Sequence, residues 1–151
     1  MTENESLLAY RTLAEFRHQI RQFLHISEQA ARAQGIEPKM HQALLAIKGL
    51  PEGAKPTVTA LALRLCLKPH SVVEMVNRLA ERGFAARRRG QEDRREVLIE
   101  VTPLGEEVLE KLKDVHLQEL QIWSPELCRA LQAVIDNPPN ETCKARAGTA
   151  H

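Results

Sequence analysis

Aromatic side chains are nearly absent from this chain of 151 residues, with three Phe, one Tyr and one Trp making up 3% of it. The core must therefore be assembled from Leu, Val, Ile and Ala, which favours packed helices over a sandwich or barrel. Cysteine is scarce too: Cys66, Cys128 and Cys143 are odd in number and include no CxxC pair. No disulfide framework is encoded, and a reducing cytoplasm is the expected compartment. The longest nearly apolar segment, residues 58–67, contains Arg64 and is far too short to cross a bilayer. The N-terminus, MTENESLLAYR, carries acids where a secretory signal would be basic, and no apolar stretch follows, so no membrane partner is expected. There is no Gly-rich phosphate loop, no nucleophile elbow and no carboxylate pair placed for a cleft, which argues against an enzyme. The histidines at 18, 25, 41, 70, 116 and 151 make no HExxH-like pattern. His18 and His25, two turns apart on one face, lack a carboxylate or thiol at ligand spacing, so neither a metal nor another cofactor is expected.

The bulk composition is that of an ordinary globular chain, 43% hydrophobic and 27% charged, and its length suits one compact unit with an appended dimerising part. The net charge of +1 is uninformative, but its distribution is not. Between Arg82 and Arg95 stand six arginines against two acids, a local balance of +4, while the acids that cancel it lie mostly elsewhere, in the first residues and in 106–126 among other places. Charge runs are usually solvated faces; placed at the tip of a hairpin behind a helix-turn-helix, this one instead reads as a DNA contact.

In chain order, residues 5–34 carry an apolar stripe through Leu13, Phe16, Ile20, Phe23 and Leu24, closed by Gly35. A helix of roughly thirty residues spans about 45 Å, more than one small domain covers, so the remainder calls for a second copy of the chain. Pro38 opens the next helix, over 38–49, and LPEGAKP (50–56) is a loop. Thr57 caps a short helix through Leu65 that buries Val58, Leu61, Ala62 and Leu65. After a tight connection, Val72, Met75, Val76 and Leu79 stripe a helix over 69–82 that Gly83 ends. Two short amphipathic helices joined in this way are a helix-turn-helix. Residues 84–89 and 96–101 then form the arms of a hairpin, the second with Val97, Ile99 and Val101 on one apolar face. Thr102-Pro103 starts a helix, and Ser124-Pro125 repeats that signal for a last one ended by Asn137-Pro138-Pro139.

Several segments, in order and at the right spacing, resemble the MarR family of winged helix-turn-helix regulators over roughly residues 5–137. LALRLCL (61–67) is similar to the first helix of the family's motif, and HSVVEMVNRLAERGF (70–84) to its recognition helix and following glycine. Asp93-Arg94-Arg95 followed by VLIEVTPLG (97–105) resembles its wing signature. Three positions depart from the pattern: Cys66 where Gly is common, Lys68 where a capping Ser or Thr is common, and Glu74 where a hydrogen-bond donor is frequent.

The expected fold is mainly α (α+β with a small β-hairpin wing), with a winged helix-turn-helix DNA-binding lobe over 36–101. Dimerisation helices are expected over 5–35 and 102–137, and a flexible tail over 138–151. The resemblance implies a homodimeric, cytoplasmic, bacterial-type regulator of transcription, by family default a repressor on a pseudo-palindromic operator in double-stranded DNA. Two recognition helices would lie one helical turn apart, about 34 Å. Outward positions His70, Ser71, Glu74, Asn77 and Arg78 are expected to meet the DNA, with Ser71 and Glu74 on base edges and His70 on a phosphate or a base. Arg87, Arg88 and Arg89 would neutralise phosphates, and Arg94 belongs to the same basic tip. By resemblance, Arg95 enters the minor groove while Asp93 holds its guanidinium in a bidentate pair. The family's small aromatic or phenolic effectors suggest a crevice lined by Phe16, His18, Ile20, Arg21, His25, Met40 and His41; the alternative is that these residues only pack the dimer. Two further alternatives stay open, a winged helix that binds only protein and a regulator that senses redox through cysteine. For Cys66, among leucines at a helix end, a buried and inert thiol is expected.

Overall fold

The computed structural model describes residues 3–136, with side chains from Ser6 onward. The tail at 138–151, with Cys143 and the helix stop at 137–139, lies outside the described residues. Along the chain run helices α1 (Glu3–Ala33), α2 (Pro38–Lys48), α3 (Val58–Leu65) and α4 (Pro69–Glu81), strands β1 (Ala85–Arg89) and β2 (Val97–Val101), and helix α5 (Pro103–Asp136). They form two compact units: residues 26–117, and the described residues before 26 together with those after 117. Both α1 and α5 contribute to each.

In the 26–117 unit the apolar stripes read from the sequence meet in one core. Ile36, in the turn before α2, and Met40, Leu44 and Ile47 of α2 pack with Leu61 and Ala62 of α3, Val72, Val76 and Leu79 of α4, Ile99 of β2 and Leu112 of α5. Thr57 caps α3, its Oγ1 accepting from the Ala60 N–H at 3.2 Å. Pro38 and Pro69 occupy first turns, where a missing N–H costs nothing. Helices α1, α3 and α4 end alike. In α4 the Phe84 N–H donates to Leu79 O (2.8 Å) and the Gly83 N–H to Ala80 O (3.0 Å), with Gly83 at φ +75°. In α3 the left-handed seat that glycine usually fills is held by Cys66, at φ 53° and ψ 41°. Cys66 is exposed, contrary to the expected buried thiol, because the left-handed turn carries the chain out of the core.

The hairpin is antiparallel, with Arg87 opposite Ile99 and Arg88 opposite Leu98. The Ile99 N–H donates to Pro56 O (2.9 Å), tying the hairpin to the loop before α3. The expected apolar face of β2 is only partly realised. Ile99 is fully buried and Val101 half-buried, but Val97 is 40% exposed, and Leu98 on the opposite face is buried instead. Val97 lies beyond the core towards the tip, whereas Leu98 lies in a groove that Arg88, Lys55 and Glu96 also line.

The start signal at Ser124-Pro125 does not open a new helix; α5 runs through it with Pro125 inside. Proline removes one N–H and costs about 3 kcal/mol in a helix interior, but no Gly, Asn or Asp flanks it, and the helical patterns on both sides continue directly.

Candidate nucleic-acid interface

Burying Val72, Val76 and Leu79 leaves one face of α4 outward: His70, Val73, Glu74, Asn77 and Arg78 are exposed and Ser71 is half-buried. Lys68 precedes the helix without a side-chain cap. The N–H groups of Ser71 and Val72 already donate to Lys68 O (3.0 and 3.2 Å), so this helix start offers a phosphate fewer free donors than its sequence suggests.

The hairpin sorts its arginines by face, since side chains alternate along a strand. Arg87 and Arg89 share the face of buried Ala85, and Arg87 Nη2 donates to Asn77 Oδ1 on α4 at 2.7 Å. Arg88 points to the other face and donates from Nε to Glu100 Oε1 at 2.6 Å. That ion pair neutralises Arg88, so it is a weaker phosphate ligand than expected. Arg89 donates to Arg94 O (3.0 Å), closing the tip. The expected bidentate pair between Asp93 and the Arg95 guanidinium does not form: Asp93 Oδ1 accepts the backbone N–H of Arg95 at 2.9 Å. This Asx-type turn is the shorter reach for a carboxylate two residues away, and it leaves the guanidinium free. Among the described residues neither Arg94 nor Arg95 pairs with a carboxylate.

Lys55, which the sequence did not single out, explains why the tip stays positive. Its Nζ lies 2.9 Å from Glu96 and 4.0 Å from Glu92, and the hydrogen bond to Glu96, then that residue's charge, raises the Lys55 pKa above the ordinary value. Acids that would otherwise quench the wing arginines are engaged from the loop before α3. Only the fold brings residues 41 apart together, so no local pattern could have shown it. Arg78 pairs with Glu37 at 3.7 Å, both side chains more than half exposed, a contact worth little.

The residues suggested for an effector crevice divide between the units. Phe16 and Ile20 are half-buried and His18, Arg21 and His25 exposed in one; in the other, Met40 belongs to the hydrophobic core and His41 is 3% exposed. Met40 thus packs the interior rather than lining an open wall. The His41 ring stacks against His116 at 4.7 Å between centroids, and His116 Nε2 lies 3.0 Å from Ser27 Oγ. Burial first, and then the neighbouring His116, push the His41 pKa down to about 4. His116 and Ser27 were not foreseen as partners, being 89 residues apart.

Residues 34–96, from the end of α1 through the wing tip, match the model of the MarR family. A Thauera aromatica protein named as a transcriptional regulator for the hcr operon is 27% identical over 114 residues, covering 76% of this chain and 67% of that protein. The winged helix-turn-helix of this chain is similar to that of the MarR family of transcriptional regulators. The MarR-family transcription regulator SP03579 superposes with a TM-score of 0.70 at 18% identity, covering 97% of each chain. A single-residue mutant of S. aureus MepR bound to an oligodeoxyribonucleotide gives 0.58 at 15% identity, over 87% of each chain. CouR from Rhodococcus jostii RHA1, bound to p-coumaroyl-CoA, gives 0.53 at 21% identity, over 85% of this chain and 80% of CouR. At such identities these likenesses establish the winged-helix fold.

Proposed function

We propose that this chain is a homodimeric repressor that binds a pseudo-palindromic operator through α4 and the wing and is released by a small aromatic or phenolic ligand. The observation that carries the DNA reading is the wing tip: Arg94 and Arg95 have no carboxylate partner among the described residues, while Lys55 engages the neighbouring acids. Outside the 26–117 unit, exposed Leu7, Leu8, Tyr10 and Leu13 on α1 and Leu120, Ile122, Leu131 and Ile135 on α5 supply apolar surface for a second copy. The MepR mutant's oligodeoxyribonucleotide and CouR's p-coumaroyl-CoA support a DNA partner and an acyl-aromatic effector class. An effector acts only if it binds the DNA-competent and incompetent dimers unequally, typically by about 1–3 kcal/mol.

The test is a gel-shift titration against genomic fragments over a range of salt. With three or four unpaired arginines per protomer, a dimer neutralises roughly six to eight phosphates, giving a slope of log affinity on log salt of about −5 to −7. A flat response, or no retarded fragment at low salt, would turn the reading towards a winged helix that binds protein alone.

A further inference from the structure

Asn77 and Glu74 stand three residues apart on the outward face of α4, neighbours on one side of the helix. Asn77 is not free to choose how it meets a base. Its side chain touches Arg87 Nη2 at 2.7 Å, and a guanidinium has five donors and no acceptor. The atom facing Arg87 must therefore be the amide oxygen, which leaves the Nδ2 group, with two donors, turned away from the wing. An asparagine that reads adenine needs both ends of its amide, the oxygen for N6 and the nitrogen for N7. Arg87 takes one of that oxygen's two lone pairs and holds it against the wing, so the amide's outward end is the donor.

We propose that Arg87 is a positioning residue that locks Asn77 as a donor, so that α4 reads a guanine, with Glu74 accepting from a cytosine N4 beside it. The proposal rests on α4 being the base-reading helix and names what that helix selects. In the major groove guanine alone presents two adjacent acceptors, N7 and O6, matching the two Nδ2 hydrogens. In adenine the group next to N7 is the N6 donor, which would meet another donor. An ionised Glu74 only accepts, so its match is an amino group such as cytosine N4. Each half-site then carries a C·G element under residues 74 and 77. Arg87, assigned by sequence to phosphates, acts through the base-reading face instead.

The experiment selects binding sites from duplexes with randomised centres, using the full-length dimer, and then measures competition between guanine and adenine at each selected position. Wild type is expected to favour guanine at one half-site position by about tenfold. Arg87→Ala frees the amide to rotate: the preference falls to about twofold or less, while the salt dependence stays unchanged because no phosphate contact is lost. Asn77→Ala loses the same preference, and adding Arg87→Ala to it changes the preference no further, the signature of one residue acting through the other. The proposal is overturned if Arg87→Ala weakens all duplexes equally and reduces the salt slope by about one, or if wild type binds DNA without favouring guanine. Failure of wild type to retard any duplex at low salt is a separate outcome, which removes base reading by α4 altogether.

Discussion

Acidification should destabilise this protein through one buried imidazole. His41 is 3% exposed, stacks on His116, and titrates in the folded chain at about 4 rather than at the ordinary 6.5. The folded pKa lies below the unfolded one, so His41 contributes stability that is complete above pH 6.5 and disappears as pH falls towards 4. In that window the unfolded chain takes up a proton that the folded chain refuses. Integrating this linkage gives a loss of about 1 kcal/mol by pH 5.5 and about 2–3 kcal/mol by pH 4.5. That is a substantial part of the roughly 5–15 kcal/mol that holds a domain folded. Urea denaturation of wild type and His41→Phe at several pH values between 8 and 4.5 measures it. The phenylalanine keeps an aromatic ring in the site and cannot bind a proton, so wild type should lose about 2–3 kcal/mol relative to the variant on acidification. Parallel curves would show that His41 does not resist protonation, and that its burial or its contact with His116 is not as described.

Two further outcomes test the fold and the wing. A Cβ on Gly105 would lie 2.2 Å from the Phe84 carbonyl oxygen and 2.7 Å from Val101 Cγ1. Gly105→Ala should therefore cost about 3 kcal/mol and lower Tm by about 10 °C in a thermal melt; an unchanged Tm would contradict the packing of the α5 start against the Phe84 backbone. Arg95→Ala should weaken operator binding by about 1–3 kcal/mol whatever the sequence. Arg88→Ala, whose guanidinium is already paired with Glu100, should change it by less than about threefold. Equal losses in a gel-shift titration would refute the sorting of arginines by face.

Most of the 26–117 unit was legible in the sequence because its signals are local. The stripe Val72, Met75, Val76, Leu79 sets which face of α4 is buried, and its complement is the outward set that stands exposed. Thr57 and Gly83 mark helix ends through bonds to residues three to five positions away. Where local signals compete, they misled. Ser124-Pro125 looks like a helix start, yet α5 passes through it, since proline removes one bond while the packing of both flanks persists. The alternation of β2 suggested Val97 as core and Leu98 as surface. Yet a strand's buried side depends on what surrounds each end of it, and Leu98 shares a groove with Lys55 and Arg88.

By itself the sequence determined the winged helix-turn-helix, the basic tip and the outward residues of α4, because periodicity and capping act within a turn or two of the chain. Tertiary structure alone decided how those arginines are used. Glu100 withdraws Arg88 across the strands, Asn77 draws Arg87 to the outward face of α4, and Lys55 engages Glu92 and Glu96 so that Arg94 and Arg95 stay without a carboxylate among the described residues. Coulomb and hydrogen-bond partners are chosen by distance in space, and such distances do not exist until the chain has folded.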